Sequence, residues 1–556
     1  MKFSARIISP LEKVFYDDKL STFPKYAASS ALLGEKHSLS VAYRLDDTTE
    51  SAYFDGGIFV KLTGDAAKGA SAYTVEHVPA VFACPAYEKP DRYLRGAPGL
   101  YPDVLKPIDE KTSLVPVQNI THSLWIELDT DKMLSGDHML IVSFYNAKGE
   151  ELAKEKHTVH VIDAVLPEQK LMVTQWFHTD CLADFYKVKV FSRDHWKAIE
   201  SFIRLYVELG NNMLYTPLFT PPLDTAVGGE RTTVQTVDVT YDGNEYRFGF
   251  DKLRKFIRLA KDCGVRYFEM SHIFTQWGAY HAPKIMAKVG GRTKKIFGWE
   301  TSSHSPEYEA FLAAFLPALH TVLTEEGIAK CTYFHISDEP SLQHLESYRT
   351  CSKILRKYLP DFPIMDAMSN VEFCNEGLLD TPVPFLAHVK PFFERNPRPR
   401  FTYYCGANAN IMGRALGMPS CRNRISGDLF YIHDVDGFLH WGYNFYNTCR
   451  STEHIDPFAV TDAGKLFCAG DSFIVYPGNN FTALPSIRAF VFRDGLQDMR
   501  ALVLCEKLCG KDAVLNILKD ANGGVLPALT EVPQDDYYTQ KVREAVNSAI
   551  EAALKK

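Results

Sequence analysis

The sequence predicts a multidomain protein with an N-terminal β-sandwich, a (β/α)8 barrel of the TIM type and C-terminal helices. Three observations support this fold class. Short strands with turn signals fill the first part of the chain, a strand–loop–helix rhythm follows, and helical patterns end it. A chain of 556 residues is also too long for one hydrophobic core, so two or three domains are expected.

Residues 1–165 are predicted to form the β-sandwich. They contain short, partly alternating apolar runs that are separated by turn signals, with few helical stretches. The clearest runs are at 38–45, 57–63, 123–128 and 139–145.

Residues 166–480 are predicted to form the catalytic barrel, because strand candidates alternate here with helical patterns. A doubly wound sheet would alternate in a similar way, but a set of eight strands favours the barrel. The eight candidates are 171–177, 213–219, 266–273, 332–337, 363–368, 384–390, 401–405 and 437–443. The segment 251–264 shows helical spacing and ends at a glycine. The segment 232–250 predicts an inserted hairpin that turns at Asp242-Gly243.

Residues 481–556 form the third predicted part of the chain. Helical patterns at 486–509 and 538–555 suit a segment that packs on the outside of the barrel.

Composition narrows the class of partner. The net charge is −7 and no polybasic block occurs, which argues against nucleic acid. No apolar stretch approaches the ~18 residues that a membrane span needs, so no membrane insertion is expected. The N-terminus has no signal-peptide pattern, and most cysteines lie in apolar segments as free thiols. These observations favour a cytoplasmic location, while the sequence says nothing of the oligomeric state.

The tetrad Ser337-Asp338-Glu339-Pro340 follows the apolar run 331–336. In one interpretation Asp338 caps a following helix, because Asp before Pro and Ser is a good N-terminal signal. In the other, Asp338 and Glu339 stand at the carboxyl end of the fourth strand, where barrel enzymes carry their catalytic groups. Pro340 is expected to hold Glu339 in extended geometry.

The ends of the other strands carry aromatic and polar residues. Aromatic faces stack on the C–H faces of sugars, and polar groups bond sugar hydroxyls, so together these strand ends predict a carbohydrate cleft. Each residue alone is also typical of a structural role. The candidates for substrate binding are Trp176, His272, Asp366, Asn370, His388, Tyr403, Tyr404, Trp441 and Asn444.

Other chemistries lack their sequence patterns. The histidines are scattered without metal-ligand spacing near the acidic pair, so no metal is expected. No GxSxG elbow of a serine hydrolase and no phosphate-binding glycine loop occur, and no cofactor is expected.

The acidic pair lacks the usual partner of a retaining glycosidase. Such enzymes use two carboxyl groups roughly 5–5.5 Å apart, and many barrel enzymes take the second from strand seven, where 401–406 offers none. A 2-acetamido sugar can instead supply its own carbonyl oxygen as the nucleophile. It then needs a carboxylate beside the acid to orient its amide. An adjacent Asp-Glu pair meets that need, and its crowding should favour a protonated Glu339.

With these residues the sequence resembles glycoside hydrolase family 123. Four segments carry the resemblance: His-Ile-Ser-Asp-Glu-Pro at 335–340, Val-Asp-Gly-Phe-Leu-His-Trp-Gly-Tyr-Asn at 435–444, Gly-Asp-Ser-Phe-Ile-Val-Tyr-Pro-Gly at 470–478, and 486–498. The family implies a β-sandwich, a (β/α)8 barrel, no metal and an exo-acting β-N-acetylgalactosaminidase that retains configuration through an oxazoline.

The resemblance also implies roles for individual residues. Asp338 would orient the acetamido group, and Glu339 would be the general acid and then the general base. Trp441 would be a sugar platform, and Tyr403 or Tyr404 would hold the acetamido oxygen.

The sequence therefore predicts a hydrolase for terminal β-linked N-acetylgalactosamine, with a terminal 2-acetamido sugar as its carbohydrate substrate. One alternative is a glycosidase for a non-acetamido sugar with Asp366 or Glu269 as second carboxylate. Another is a non-catalytic carbohydrate-binding protein.

Overall fold

The computed structural model of the protein describes residues 2–46, 57–85, 92–395, 398–406 and 410–555. The chain divides into two compact units. The first consists of Met1–Gln169, Ala407–His433 and Leu484–Lys556, and the second of Lys170–Gly406 and Asp434–Ala483. The protein is multidomain, with a sheet-rich N-terminal region and a helical C-terminal part. Among the described helices, none combines the length and the apolar character that crossing a membrane requires.

The N-terminal region of the first unit consists of two β-sheets. Each contains apolar runs that predicted strands in the sequence. The five-stranded sheet has the antiparallel order Lys2–Ile8, Lys36–Asp46, Thr121–Asp129, Ala70–Ala80 and Gly99–Ile108. The four-stranded sheet has the order Ala28–Leu33, Glu151–Val165, Gly136–Asn146 and Ile58–Thr63.

Both sheets contribute side chains to one hydrophobic core. Leu39 and Val41 enter it from the first sheet, and Val142 and Phe144 from the second. These residues are two apart because successive side chains of a strand point to opposite faces. Ser40, on the other face of its strand, is buried as well, so the first sheet is covered on both sides.

Helices of the same unit are joined to these strands by buried ion pairs. In the helix Ile487–Cys509, Arg488 lies 2.8 Å from the Asp103 carboxylate and Arg493 lies 2.5 Å from Glu127. Arg493 also lies 3.2 Å from the carboxylate of its neighbour Asp494. The sequence analysis places the C-terminal helices on the barrel, whereas these contacts group them with the N-terminal sheets. The other helices of the unit are Cys421–Arg424, Ser426–Ile432, Lys511–Ala521 and Tyr538–Leu554.

Eight short parallel strands run through the second unit in chain order. They are Met172–Gln175, Met213–Thr216, Tyr267–Met270, Thr332–Phe334, Met365–Met368, Thr381–Pro384, Phe401–Tyr403 and Gly437–His440. Ladders join the second to the third, the third to the fourth, the fifth to the sixth and the seventh to the eighth. Single bridges join the fourth to the fifth and the sixth to the seventh, and the first strand pairs with the eighth.

Helices follow most of these strands. The helix Asp251–Cys263 buries Leu253, Phe256 and Ile257, as its periodicity predicts, and ends at Gly264 with a φ of 104°. That positive φ is the left-handed conformation that glycine adopts readily at a helix end. The other helices of the unit are Thr179–Tyr186, Arg193–Glu208, Pro306–Glu325, Leu345–Tyr358, Glu372–Asn375 and Val389–Arg395.

The predicted sixth strand at 384–390 is wrong in position. The strand is Thr381–Pro384, and its supposed interior forms the helical turn Leu386–His388 and the helix Val389–Arg395. Prolines are rare within strands, so Pro382 and Pro384 argue against a strand at the position where the structure has one.

The predicted hairpin is confirmed as Asp238–Tyr241 and Tyr246–Gly249, and Ile285–Val289 and Arg292–Phe297 extend it to a four-stranded sheet. The remaining strands are Val475–Pro477 and Ala483–Pro485.

Candidate active site

A cavity of about 340 Å³ lies at the carboxyl ends of the parallel strands. Its carboxylates are Asp224, Asp338, Glu339 and Asp471, and its aromatic side chains are Trp176, Trp277, Tyr403, Trp441 and Phe467. The other lining residues are His178, Leu223, Gln276, Ala367, Cys405, Gly406, Leu439, Cys449 and Arg450. Acidic groups set among flat aromatic rings suit an uncharged, hydroxyl-rich ligand such as a sugar.

The acidic pair lies on a loop after the fourth strand. Asp338 is half-buried and Glu339 is exposed. Two backbone hydrogen bonds hold the pair: Trp277 N donates to the Asp338 carbonyl at 3.0 Å, and Glu339 N donates to the Ala367 carbonyl at 3.1 Å. The helix-cap interpretation is wrong, because Ser341 caps the helical turn that follows.

Glu339 has a left-handed backbone, with a φ of 44°. The expectation of extended geometry before Pro340 is therefore wrong. A non-glycine residue in this region is strained by about 1–3 kcal/mol and persists only where its surroundings hold it. Here the bond from Glu339 N to Ala367 holds the backbone while the side chain stays in the cavity.

Tyr403 bonds the exposed member of the pair. Its hydroxyl donates to Glu339 Oε1 at 2.5 Å, and burial raises the pKa of Tyr403, so the phenol remains a donor. Tyr404 follows it on the other face of the strand, where it packs on Phe438 and His440. Of the two tyrosines predicted to hold an acetamido oxygen, only Tyr403 lines the cavity.

Burial raises the pKa of the Asp338 carboxyl well above its usual range, and the nearby Glu339 and Asp366 carboxylates raise it further. The carboxyl whose pKa is raised is Asp338, whereas the sequence predicts a proton on Glu339. A ligand N–H that donates to Asp338 would favour its ionised form.

Trp441 forms one wall of the cavity. Its Nε1 donates to Asp471 Oδ2 at 3.1 Å, and its ring packs edge-on to Phe445 and Phe467. Trp277 is 39% exposed and presents a second aromatic face. The Trp441 indole is held by its bond to Asp471, and both indole rings line the cavity.

His178 supports this wall from behind. Burial and the Arg231 guanidinium lower the pKa of His178 to about 3, so its ring is neutral. Arg231 Nη2 donates to His178 Nδ1 at 3.1 Å, which leaves Nε2–H to donate to the Trp441 carbonyl at 2.9 Å. The Asn444 side chain binds the backbone of His178 twice. His178 N donates to Asn444 Oδ1 at 2.8 Å, and Asn444 Nδ2 donates to the His178 carbonyl at 3.0 Å.

A buried polar cluster is connected to the cavity through Trp176, whose Nε1 donates to Glu269 Oε2 at 3.0 Å. His335 lies 3.0 Å from the same oxygen and 3.1 Å from Asp366 Oδ1. His272, His335 and Asp366 bring ligand atoms within 4.8 Å of one another, which is close enough for a metal. Both His335 nitrogens face carboxylates, however, so the geometry fits a charged hydrogen-bond cluster better.

The structure sorts the predicted substrate-binding residues into two groups. Trp176, Tyr403 and Trp441 line the cavity with the acidic pair. The others do not line it, for physical reasons that differ. Asp366, His272, Tyr404 and Asn444 are buried with partners in the protein, His388 is exposed on the helical turn after strand six, and Asn370 lies beyond the end of strand five.

Several cavity residues come from loops that strand-based reasoning missed. Asp224 and Arg450 belong to two loops that are bonded together: Arg450 N donates to Asp224 Oδ2 at 2.9 Å, and Ser451 Oγ donates to the Asp224 carbonyl at 2.7 Å. Asp471 accepts from Gly406 N at 2.9 Å as well as from Trp441. The only sequence signal for Asp471 is its place in the segment 470–478.

Comparison with solved structures identifies the fold. The chain is similar to a family 123 glycoside hydrolase from Clostridium perfringens, studied for glycolipid glycan hydrolysis, with a TM-score of 0.76, 13% identity, and coverage of 100% of this chain and 99% of that one. A β-galacturonidase of glycosyl hydrolase family 2 from Eisenbergiella tayi matches with a TM-score of 0.34 and 11% identity, covering 84% of this chain and 72% of its own. That score is too low to carry an argument. No curated protein matches the chain in sequence.

The family comparison agrees with the geometry. Residues 176–505 match the model described as glycoside hydrolase 123, catalytic domain. This segment covers more than half of the chain and contains every described residue that lines the cavity. The protein is a glycoside hydrolase, and its chain belongs to glycoside hydrolase family 123.

Proposed function

We propose that the enzyme removes terminal β-linked N-acetylgalactosamine by a retaining, substrate-assisted mechanism. The observation that carries the proposal is the adjacency of a half-buried Asp338 and an exposed Glu339 in one cavity. Glu269 and Asp366, the alternative second carboxylates, are buried and bonded to His335 instead. The nucleophile then comes from the substrate, as in 2-acetamido sugars.

In the first step, Glu339 as carboxylic acid gives its proton to the glycosidic oxygen. The bond from that oxygen to the anomeric carbon breaks, and the aglycone leaves as an alcohol. The acetamido carbonyl oxygen attacks the anomeric carbon from the opposite face and forms an oxazolinium ion. Asp338 accepts a hydrogen bond from the amide N–H and balances the positive charge, which is electrostatic stabilisation of the transition state.

In the second step, the Glu339 carboxylate removes a proton from water. The oxygen of that water attacks the anomeric carbon and opens the oxazolinium ring. The acetamide is restored, the sugar leaves with its original configuration, and Glu339 is protonated again. Tyr403 supports the exchange, because its O–H donates to Glu339 when the carboxylate is charged.

The remaining cavity residues fit the recognition of one sugar ring. Trp441 provides a stacking face, and the buried Asp471 carboxylate beside it is a strong acceptor for sugar hydroxyls. The galacto configuration rests on the family resemblance. The glycolipid glycans named for the Clostridium perfringens enzyme are one substrate class to test.

The second candidate function is hydrolysis of a non-acetamido sugar. Asp224 and Asp471 favour keeping it, because both line the cavity with Glu339. If either were the nucleophile, its Asn variant would lose activity on every glycoside. In the acetamido mechanism these variants lose sugar binding and retain the chemical step.

A direct test compares aryl β-N-acetylgalactosaminide, β-N-acetylglucosaminide and β-galactoside at equal concentration. The acetamido mechanism predicts turnover of the first, and of the plain galactoside at a rate lower by orders of magnitude. Cleavage of the galactoside at an equal or better rate would sink the mechanism. NMR of the first product should show the β-anomer before mutarotation, and a thiazoline analogue of N-acetylgalactosamine should inhibit.

Three structural and cellular statements belong with this proposal. We infer that the eight parallel strands close into a (β/α)8 barrel that follows an N-terminal β-sandwich, which is supported by the pairing of the first strand with the eighth. The domain boundaries at residues 165 and 480 stay predictions. The cytoplasmic location also stays a prediction. The twelve cysteines are free thiols, which agrees with a reducing compartment.

A further inference from the structure

The loop that carries the acidic pair is tied to a carboxylate that never reaches the cavity. Asp366 Oδ2 accepts from Ile336 N at 3.0 Å and from Ser337 N at 3.3 Å. These two amides directly precede Asp338. Asp366 also accepts from the Tyr348 hydroxyl at 2.6 Å, so its own position is held from a second side.

The same carboxylate shares an imidazole with a second one. His335 Nδ1 lies 3.1 Å from Asp366 Oδ1, and His335 Nε2 lies 3.0 Å from Glu269 Oε2. A neutral imidazole has one N–H donor, whereas two carboxylate acceptors require two. Although burial opposes a charge here, the hydrogen bonds to Asp366 and Glu269 raise the pKa of His335 to about 9. The ring is therefore an imidazolium at neutral pH.

The groups around this ring leave it charged. His272 stacks on it at 4.4 Å, and burial followed by the His335 charge lowers the pKa of His272 well below its usual range, so His272 is neutral. Among the described residues, the other titratable groups near His335 or its two partners are Tyr206, Tyr215, Tyr333, Tyr348 and Asp338. Burial raises the pKa values of the four tyrosines, which keeps them uncharged.

We propose that Glu269, His335 and Asp366 are positioning residues, a buried triad that fixes the loop carrying Asp338 and Glu339 and places the positive charge of His335 near Asp338. The role of Asp338 in this statement rests on the proposed function. Asp366 supplies the mechanical link through the amides of Ile336 and Ser337. His335 supplies the charge, and Glu269 holds His335 while it also anchors Trp176 at the cavity.

The charge role has a sign that can be measured. The His335 cation lowers the pKa of Asp338, while Asp366 raises it. His335→Gln removes the cation and should raise the pKa of Asp338. The activity depends on ionised Asp338. As the pH is lowered, the variant should therefore lose activity at a higher pH than the wild type does. A merely structural role would lower activity without moving the acidic limb of the pH profile.

The experiment measures kcat and KM from pH 4 to 9 for the wild type and for His335→Gln, Glu269→Gln and Asp366→Asn. For His335→Gln we expect the acidic limb of kcat/KM to move up by about 1 pH unit. Its kcat should fall about 100-fold, because a small displacement of the pair costs that much, while KM changes little. Glu269→Gln should move the limb in the same direction by less, and Asp366→Asn should reduce kcat most.

Asp380→Asn is the matched control. Asp380 Oδ2 accepts from Ile364 N at 2.8 Å, before the strand Met365–Met368 that contains Asp366. Its loss removes a similar carboxylate-to-amide bond away from the acidic pair, so kcat and the pH profile should stay as in the wild type. An unchanged acidic limb in both His335→Gln and Glu269→Gln, with normal thermal unfolding, would overturn the triad.

A second measurement does not depend on activity. NMR of protein labelled with ¹⁵N-histidine should show a buried imidazole that is still protonated at both nitrogens at pH 8. His160 also lies beside two carboxylates, so the spectra are recorded in a His160→Gln background, which removes its signal. Loss of that signal in Glu269→Gln would assign it to His335. A His335 ring that is neutral at pH 7 contradicts the triad. If the wild type cleaves no acetamido glycoside, the proposed function fails, and the NMR result still decides the charge of His335.

Discussion

The packing around the helices of the first unit and the acidic pair at the cavity of the second unit bury charged side chains in opposite ways. In the first unit, buried carboxylates meet arginine: Asp103 pairs with Arg488, and Asp498 with Arg424. At the cavity of the second unit, Asp338 and Glu339 face each other, a tyrosine and a nearby histidine. Arginine keeps its charge at every practical pH, so each of these pairs contains a fixed positive charge. The carboxylates beside the cavity can exchange protons, which is what acid–base chemistry requires.

The largest effect on activity is expected at Glu339, the proposed general acid. Glu339→Gln should lower kcat by about 10³–10⁴-fold on substrates with poor leaving groups. The loss should be much smaller on aryl glycosides, whose departure needs little protonation. Thermal unfolding should hardly change because Glu339 is exposed. Steady-state kinetics on both substrate types checks this, and wild-type turnover by the variant would move the acid elsewhere.

An arginine of the first unit should give the reverse result. Arg488→Met leaves the fully buried Asp103 without its cation, which should destabilise folding by about 3–5 kcal/mol. Activity per folded molecule should stay near that of the wild type. Urea unfolding and kinetics on the same samples separate the two quantities. The double variant with Asp103→Leu should recover stability; no recovery would mean that the ion pair is not the cause.

The next largest expected effect concerns Asp338, the second residue of the acidic pair. Asp338→Asn should lower kcat about 10²–10³-fold on acetamido glycosides, as for loss of a group that stabilises transition-state charge. In the wild type, the raised pKa of Asp338 should place the acidic limb of the profile above the ordinary range of an aspartate. Protonation as the pH falls through that pKa removes the acceptor for the amide. An acidic limb that persists unchanged in Asp338→Asn would contradict this assignment.

The smallest expected effect concerns the tyrosine. Tyr403→Phe removes the donor to Glu339 Oε1 and should lower kcat about tenfold, as for a hydrogen bond to a charged group. Tyr404→Phe is the matched control, since its ring lies outside the cavity lining. Equal losses in both variants would show that packing rather than the hydrogen bond matters.

The sequence predicts most of the strands of the second unit and the acidic pair, because both have local signals. Apolar runs of strand length and the tetrad after one of them can be read without knowledge of distant residues. Strand ends were less informative, since neighbouring side chains point to opposite faces. Tyr403 enters the cavity while Tyr404 does not, and Ala367 lines it while Asp366 lies behind.

The cavity residues on loops cannot be predicted from sequence periodicity. Asp224 and Arg450 are far apart in the sequence and meet through bonds between irregular segments, which have no periodicity to read. The buried triad is partly visible in the sequence: Asp366 and Glu269 are predicted as possible second carboxylates, but only the structure shows that His335 contacts both.

The left-handed backbone of Glu339 has a consequence for the evolution of the family. Glycine or asparagine would adopt this φ of 44° more easily than glutamate. A lineage released from selection for hydrolysis would therefore gain stability by replacing the glutamate. Homologues with glycine or asparagine at this position are expected to be slightly more stable and inactive, which makes the position a marker of lost catalysis in genomes.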